Sequence, residues 1–357
     1  MSQSSANTGD ASAASPPGDH RARRRRPGGR VWYVLLLLLA LCVAGTSYLL
    51  RDPTPRFVER RSHLVAASES PAEPIDGHSI RQVHLTAASG LEVDLLVKQP
   101  TEDSAARQPD VRRPLIVLLG GHVTGRDAVK LIPETRGAVV ASLSYPFKGD
   151  TRLKGLSILP KVPKIRGALL DTPPALMLAL DYLLRQPDVD STRVESIGVS
   201  LGAPFVVVAG ALDPRVSRVW SIHGSGGSYT PLEYNMRRNI PFPASILVAG
   251  LSNVIIGWPR LAPEEWVARI APREFVMINA EDDERLPRPS VERLYQSARE
   301  PKSITWVPGR HVRASPEVVR GLVEMVLARV LGDSARAPSV GMPTPARRPA
   351  ATHRPAA

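Results

Sequence analysis

From Ser79 onward the chain alternates short apolar runs with longer helical stripes. Gln82-Val83-His84-Leu85-Thr86 and Leu91-Glu92-Val93-Asp94-Leu95-Leu96-Val97 alternate around Ala88-Ser89-Gly90. Period-two patterning on both sides of a turn predicts a β-hairpin. Continuous apolar runs follow at Leu115–Leu119, Ala138–Leu143, Val194–Val199, Val219–Ile222, Phe275–Ile278 and Ile304–Val307. Runs of this length, bounded by turn residues, are the signature of strands buried on both faces.

Helical stripes lie between the runs. Thr172 and Pro173 read as cap and first-turn residue of one helix, with Ala175, Leu176, Leu178, Ala179, Tyr182 and Leu183 as its apolar face. Another begins just after Ser200, and a third surrounds Val291, Leu294 and Tyr295. The last opens on Ser315-Pro316-Glu317, continues through Val319, Leu322, Val323, Val326 and Val330, and stops at Gly332. A hairpin followed by strands alternating with helices predicts an α/β fold: a largely parallel sheet covered by helices on both faces. Residues 224–270 break the alternation and hold Trp258 and Trp266, which predicts a helical cap inserted after the sixth strand. Its apolar residues, Ile246, Leu247, Val248, Val254, Ile255, Ile256 and Trp258, are expected to form mostly the core of the inserted helices.

Before Ser79 the texture differs. Residues 1–30 lack apolar periodicity and read as a disordered basic leader ending in Arg21, Arg23, Arg24, Arg25, Arg26 and Arg30. Val31–Leu50 then carries no charged residue. Twenty helical residues at about 1.5 Å each reach roughly 30 Å, the hydrocarbon thickness of a bilayer. The arginines on one side predict a cytoplasmic N-terminus and an extracytoplasmic domain. A cleaved signal peptide is the rival reading, with Val43-Ala44-Gly45 as a loose cleavage site. Residues 51–78, with Pro53, Pro55, Pro71 and Pro74, read as a linker, 79–332 as the folded domain, and 333–357 as a disordered Pro/Ala/Arg tail. The Ala, Arg and Pro bias suits a high-GC bacterium, which would put an inner-membrane, single-pass protein's domain in the periplasm.

Charge changes the picture only once it is located. The formal +12 includes +4 in residues 1–30 and +3 in residues 333–357, so more than half of it lies in the two ends. A nucleic-acid reader concentrates basic charge on its folded domain, and that pattern is missing. The one cysteine, Cys42, excludes an intrachain disulfide and Cys-rich zinc spacings.

The chemistry gathers at the ends of predicted strands. Ile197-Gly198-Val199-Ser200-Leu201-Gly202-Ala203 fits G-x-S-x-G between a strand and a helix. The nucleophile of such a motif sits on a sharp turn, where side chains at Gly198 and Gly202 would collide with neighbouring backbone. Ile278-Asn279-Ala280-Glu281-Asp282-Asp283-Glu284 ends the next-to-last strand in carboxylates, and Pro308-Gly309-Arg310-His311 follows the last strand. The order Ser, Asp, His and the joint placement beyond strand carboxyl ends point to nucleophilic acyl chemistry. A solvated acidic turn and a non-catalytic elbow are the competing readings. His122 and His223 compete with His311, His84 reads as structural, and His20, His63, His78 and His353 show no metal-ligand spacing.

On these motifs residues 80–332 resemble the α/β-hydrolase superfamily, in its dienelactone-hydrolase-like or prolyl-oligopeptidase-like branch. The resemblance implies Ser200 as nucleophile, His311 as base and Asp283 as the acid, with Asp282 as runner-up. Ala280 stands where the family's Gly-x-x-Asp-x-x-x-Pro pattern usually has glycine. It also implies an oxyanion hole from the backbone N–H groups of Leu201 and His122, with Gly121 making the tight turn. No metal or organic cofactor is implied. The expected partners are a small ester or acyl substrate and, through residues 31–50, a lipid bilayer. Carboxylic-ester hydrolysis is the leading expectation, with peptidase, acyl transfer and a non-catalytic binding module as alternatives.

Overall fold

The computed structural model describes residues 28–101, 112–121, 124–147, 160–312 and 316–332. The expected leader up to residue 27, the tail 333–357, His122 and Ser315 lie outside the described residues. The chain divides into two compact units, Met1–Arg51 and Asp52–Ala357.

In the first unit, helix α1 (Gly28–Leu50) forms where the uncharged run predicts a helix. Its described side chains from Trp32 to Leu41 are all exposed. Several other α1 side chains, Cys42 among them, lie outside the described set. Among the described residues no helix is long and apolar enough to cross a membrane. The structure therefore does not establish the predicted span.

The second unit is built on a sheet of ten strands. They are β1 (Leu64–Glu69), β2 (Glu73–Ile75), β3 (His78–Ala87), β4 (Glu92–Pro100), β5 (Arg113–Leu119), β6 (Val139–Leu143), β7 (Val189–Val199), β8 (Arg218–Ile222), β9 (Glu274–Ala280) and β10 (Lys302–Val307). The order is β1-β3-β4-β6-β5-β7-β8-β9-β10, with β2 paired to β3. From β6 to β10 all neighbours run parallel, while β1 to β4 form an antiparallel flank joined to β6. The hairpin and each of the six predicted runs are found as strands.

Along β5, Leu115, Val117 and Leu119 enter one core, while Ile116 and Leu118 enter the other. That alternation of a wholly apolar run is the period-two geometry of a strand covered on both sides. The first core is covered by α2 (Thr54–Arg61), α3 (Val162–Leu183) and α4 (Gly202–Leu212) and, after the cap helices α5 (Tyr229–Met236) and α6 (Ala244–Ile255), by α7 (Arg288–Ser297). The second is closed by the 3-10 turn Gly125–Leu131 and α8 (Pro316–Val330).

Three expectations are corrected. Residues 51–78 are no linker: they fold as α2, β1 and β2 and belong to the domain. Phe57 is fully buried, its ring 5.8 Å from Trp266, and Arg61 pairs with Asp181 of α3. One aromatic anchor among prolines has no periodicity, so the pattern hid it. Helix α3 starts ten residues before Thr172-Pro173 and carries Pro173 and Pro174 inside it. Thr172 donates its hydroxyl to Ala168 O at 2.8 Å instead of capping. An interior proline costs about 3 kcal/mol, and the almost unbroken burial of Thr172–Leu183 offsets that. Finally, α6 buries Ser245, Ala249 and Asn253, and turns Ile246, Leu247, Leu251, Val254 and Ile255 outward. Trp258 alone of the expected cap core packs as predicted, edge-on to Phe205.

Candidate active site

Strand β7 delivers Ser200 and α4 leaves from it. Ser200 has φ 55°, left-handed backbone that a residue with a Cβ adopts only under constraint. Its N–H donates to Ile222 O of β8 at 2.9 Å, and its carbonyl accepts from Ala203 N–H at 3.1 Å. The flanking glycines are sterically required. A Cβ on Gly198 would lie 2.5 Å from Gly202 O, and one on Gly202 would lie 2.2 Å from Leu119 O of β5. The elbow is thus pressed between its own helix and the neighbouring strand.

Strands β9 and β10 bring the other two groups together. Beyond their last paired residues the loops continue the ladder: Glu281 N–H donates to Val307 O at 2.9 Å and Asp282 N–H to Gly309 O at 3.0 Å. Gly309 takes φ 107°, which turns the chain so that His311 faces the acid loop. Asp283 Oδ2 lies 2.7 Å from His311 Nδ1, and His311 Nε2 lies 2.8 Å from Ser200 Oγ. Asp282, the runner-up, is exposed. Ser200, Asp283 and His311 therefore meet in one hydrogen-bonded line, with the imidazole and the carboxylate both buried.

The carboxylate is held hard. Oδ1 accepts the N–H groups of Arg285 at 2.8 Å and Leu286 at 3.0 Å, and Oδ2 also faces His223 Nδ1 at 3.3 Å. Burial pushes the Asp283 carboxyl up, but the bonds from His223, His311 and Arg285 outweigh it and keep the group well below the usual carboxylate range. An ionised carboxylate on Nδ1 fixes the tautomer that leaves Nε2 free to take a proton.

His223, one of the two competitors, follows β8 in the left-handed region at φ 49°. Its N–H donates to Ile278 O of β9 at 2.7 Å, and its ring meets His311 edge-on at 5.2 Å. Burial holds its imidazole below the ordinary value, against the raising effect of Asp283. His223, Asp283 and His311 offer ligand atoms within 4.8 Å of one another, the group of this kind found among the described residues. Those atoms are spent on each other: both Nδ1 atoms point at the same carboxylate oxygen at hydrogen-bond range. The donor set fits a hydrogen-bonded His–Asp–His cluster better than a metal site.

Leu201 opens α4, so its backbone lies at the positive end of the helix, where developing negative charge is favoured. His122 lies outside the described residues. The crowded glycine of this loop is Gly120, where a Cβ would sit 2.3 Å from Thr124 Oγ1; at Gly121, which opens the turn, it would meet nothing within 4 Å. Gly121 serves through its carbonyl, which accepts Thr124 and Gly125 N–H at 3.1 and 3.0 Å.

No family model matches the chain. Over 172 residues it is 26% identical to the uncharacterized protein YfhR of Escherichia coli O157:H7, a match covering 48% of this chain and 52% of that one. The chain spans about half the length of the curated relatives it matches. Among solved structures, acetyl xylan esterase 1 of Thermoanaerobacterium sp. JW/SL YS485 is similar with TM-score 0.54 at 16% identity, over 79% of this chain and 93% of that one. The methylesterase BT1017 gives 0.53 at 19% identity, over 80% and 65%. The chain has the α/β-hydrolase fold.

Within that fold, sequence reasoning missed two supports of the site. Tyr145, after β6, donates its hydroxyl to Gly120 O at 2.6 Å and steadies the loop beside the elbow; burial pushes its phenol far up, so it stays a donor. Glu284 accepts His311 N–H at 3.0 Å and fixes the histidine's backbone. Tyr145 lacked any local signal, whereas Glu284 sat in the acidic run already noted. The α/β-hydrolase site also opens into a cavity of ≈ 340 Å³ that runs from Ser200, Leu201 and Gly120 between the sheet and α8.

Proposed function

We propose that this chain is a membrane-anchored serine hydrolase that cleaves carboxylic esters through an acyl-serine intermediate. The observation that carries the reading is the line Ser200 Oγ, His311 Nε2, His311 Nδ1, Asp283 Oδ2, with 2.8 and 2.7 Å steps, on a strained elbow at the mouth of a cavity.

Ser200 Oγ attacks the ester carbonyl carbon while its proton passes to His311 Nε2. Asp283 stabilises the imidazolium without taking the proton. The carbonyl oxygen becomes an oxyanion facing the N–H of Leu201 at the start of α4, with His122 N–H as its second donor by resemblance. The C–O bond to the alcohol breaks, and His311 returns the proton to the departing oxygen. Water then repeats the cycle on the acyl-serine, losing its proton to His311 and releasing the acid. The esterase names of structural neighbours lend support to an ester over a peptide bond.

Val31–Leu50 is the anchor in this reading, with residues 1–30 cytoplasmic and the hydrolase outside the inner membrane. An alkaline carbonate wash of membranes should leave the full chain bound; its release into the wash would remove the anchor.

Treating the purified full-length chain with a fluorophosphonate should add one phosphonyl group to wild type, none to Ser200→Ala, and little to His311→Ala. A folded wild type that stays unmodified would end the hydrolase reading.

A further inference from the structure

The cavity beneath Ser200 has a shape and a chemistry that the triad does not need. Its floor is the sheet, at Ile116, Val140 and Ile197, and its roof is α8, at Leu322 and Val326. Every one of these side chains is apolar, and they belong to the second core rather than to the surface. At the mouth stand Ser200, Leu201 and Gly120. The charged residue lining it, Arg285, is exposed at the entrance. An apolar recess of ≈ 340 Å³ is much larger than the methyl group of an acetyl ester requires.

We infer that this cavity is an acyl-chain pocket and that the substrate is an ester of an aliphatic acid longer than acetate. The inference rests on the serine-hydrolase reading and adds which half of the ester enters the protein. The alcohol leaves toward the group that protonates it, His311 Nε2, and His311 is not part of the cavity lining. Around Ser200 the cavity is lined by Leu201 and Gly120, on the side where the carbonyl oxygen is expected, and by Val312 and Arg285 of the loops that carry His311 and Asp283. With His311 itself outside the lining, a chain lying in the cavity is assigned to the carbonyl carbon and stays on Ser200 when the alcohol departs. Water in so apolar a recess has few partners, so each methylene that replaces it gains the usual transfer free energy, roughly three- to fourfold in specificity per carbon.

Alkylphosphonofluoridates test this without knowledge of the natural alcohol, because the alkyl group on phosphorus stands where the acyl chain would. The full-length chain is exposed to methyl- and hexyl-phosphonofluoridate, and the second-order rate of Ser200 modification is measured for each. The hexyl reagent should react at least tenfold faster. Val326→Phe, and the partly exposed Val323→Phe in case the first misfolds, should each lower the hexyl-to-methyl ratio at least fivefold. A methyl rate equal to or above the hexyl rate in wild type, or a ratio unmoved in a folded variant, overturns the acyl pocket and leaves the hydrolase standing. Reaction with neither reagent removes both.

Discussion

The two faces of the sheet are built from the same strands and border cavities of different chemistry. On one, Leu115, Val117 and Leu119 of β5 share a core with Phe57, Phe205 and Trp266 under α2, α3 and α4, and the ≈ 660 Å³ cleft at its border is lined by charged groups, Arg60, Asp94 and Asp171 among them. On the other, Ile116 and Leu118 look across to α8 and border the ≈ 340 Å³ cavity. Close packing is the ordinary state of an interior, and an unfilled volume forfeits dispersion contacts. The difference teaches that what sets the Ser200 side apart is chemistry: its cavity is walled by apolar residues of the second core, whereas the cleft on the other side is walled by charged groups. The site itself lies at the strand ends, between the two.

The largest expected effect separates the strand ends from both faces. Asp283→Asn should lower kcat about 10⁴-fold, equivalent to roughly 5.5 kcal/mol, while the circular dichroism spectrum stays that of a folded chain. A loss of structure in parallel with activity would mean that the acid loop is part of the fold's support. Next comes the first core. Phe57→Ala should cost about 3–5 kcal/mol in urea denaturation, and an undiminished midpoint would return residues 51–61 to the status of a linker.

The comparison of faces is tested most directly within one strand. Leu115→Ala should cost about 4 kcal/mol and Leu118→Ala about 2, because Leu118 already borders empty volume and loses fewer neighbours. Equal costs would show that the cavity face is as tightly filled as the other.

The smallest effect concerns His223. Burial lowers its folded pKa beneath the unfolded value of about 6.5, so the unfolded chain binds the proton more readily. Stability therefore falls as pH drops below about 6.5, and levels off below the folded pKa. His223→Gln should flatten that part of the profile between pH 7.5 and 5.5; an unchanged slope would assign it to other groups.

Much of this was legible because it is local. The six apolar runs became strands because period and length are written along the chain, and Gly198-Val199-Ser200-Leu201-Gly202 marked the elbow because only glycine tolerates its crowding. Asp283 and His311 were readable as strand-end residues, although their separation of 2.7 Å depends on two loops laddering past β9 and β10. The linker was misread because Phe57 signals burial only through Trp266, more than two hundred residues away. The start of α3 was misread because Pro173 and Pro174 obey a local rule that burial of the helix overrides.

By itself the sequence determined the α/β alternation, the strand positions and the residue types at the strand ends, since these follow from periodicity and steric limits within a few residues. Only the tertiary structure decided that residues 54–75 join the domain, that Gly120 is crowded by Thr124 and Ala128, and that His223 shares the Asp283 carboxylate. The cavity below Ser200 is likewise a tertiary fact. Those features depend on the distances between elements remote in the chain, and such distances are set by packing, which no local pattern encodes.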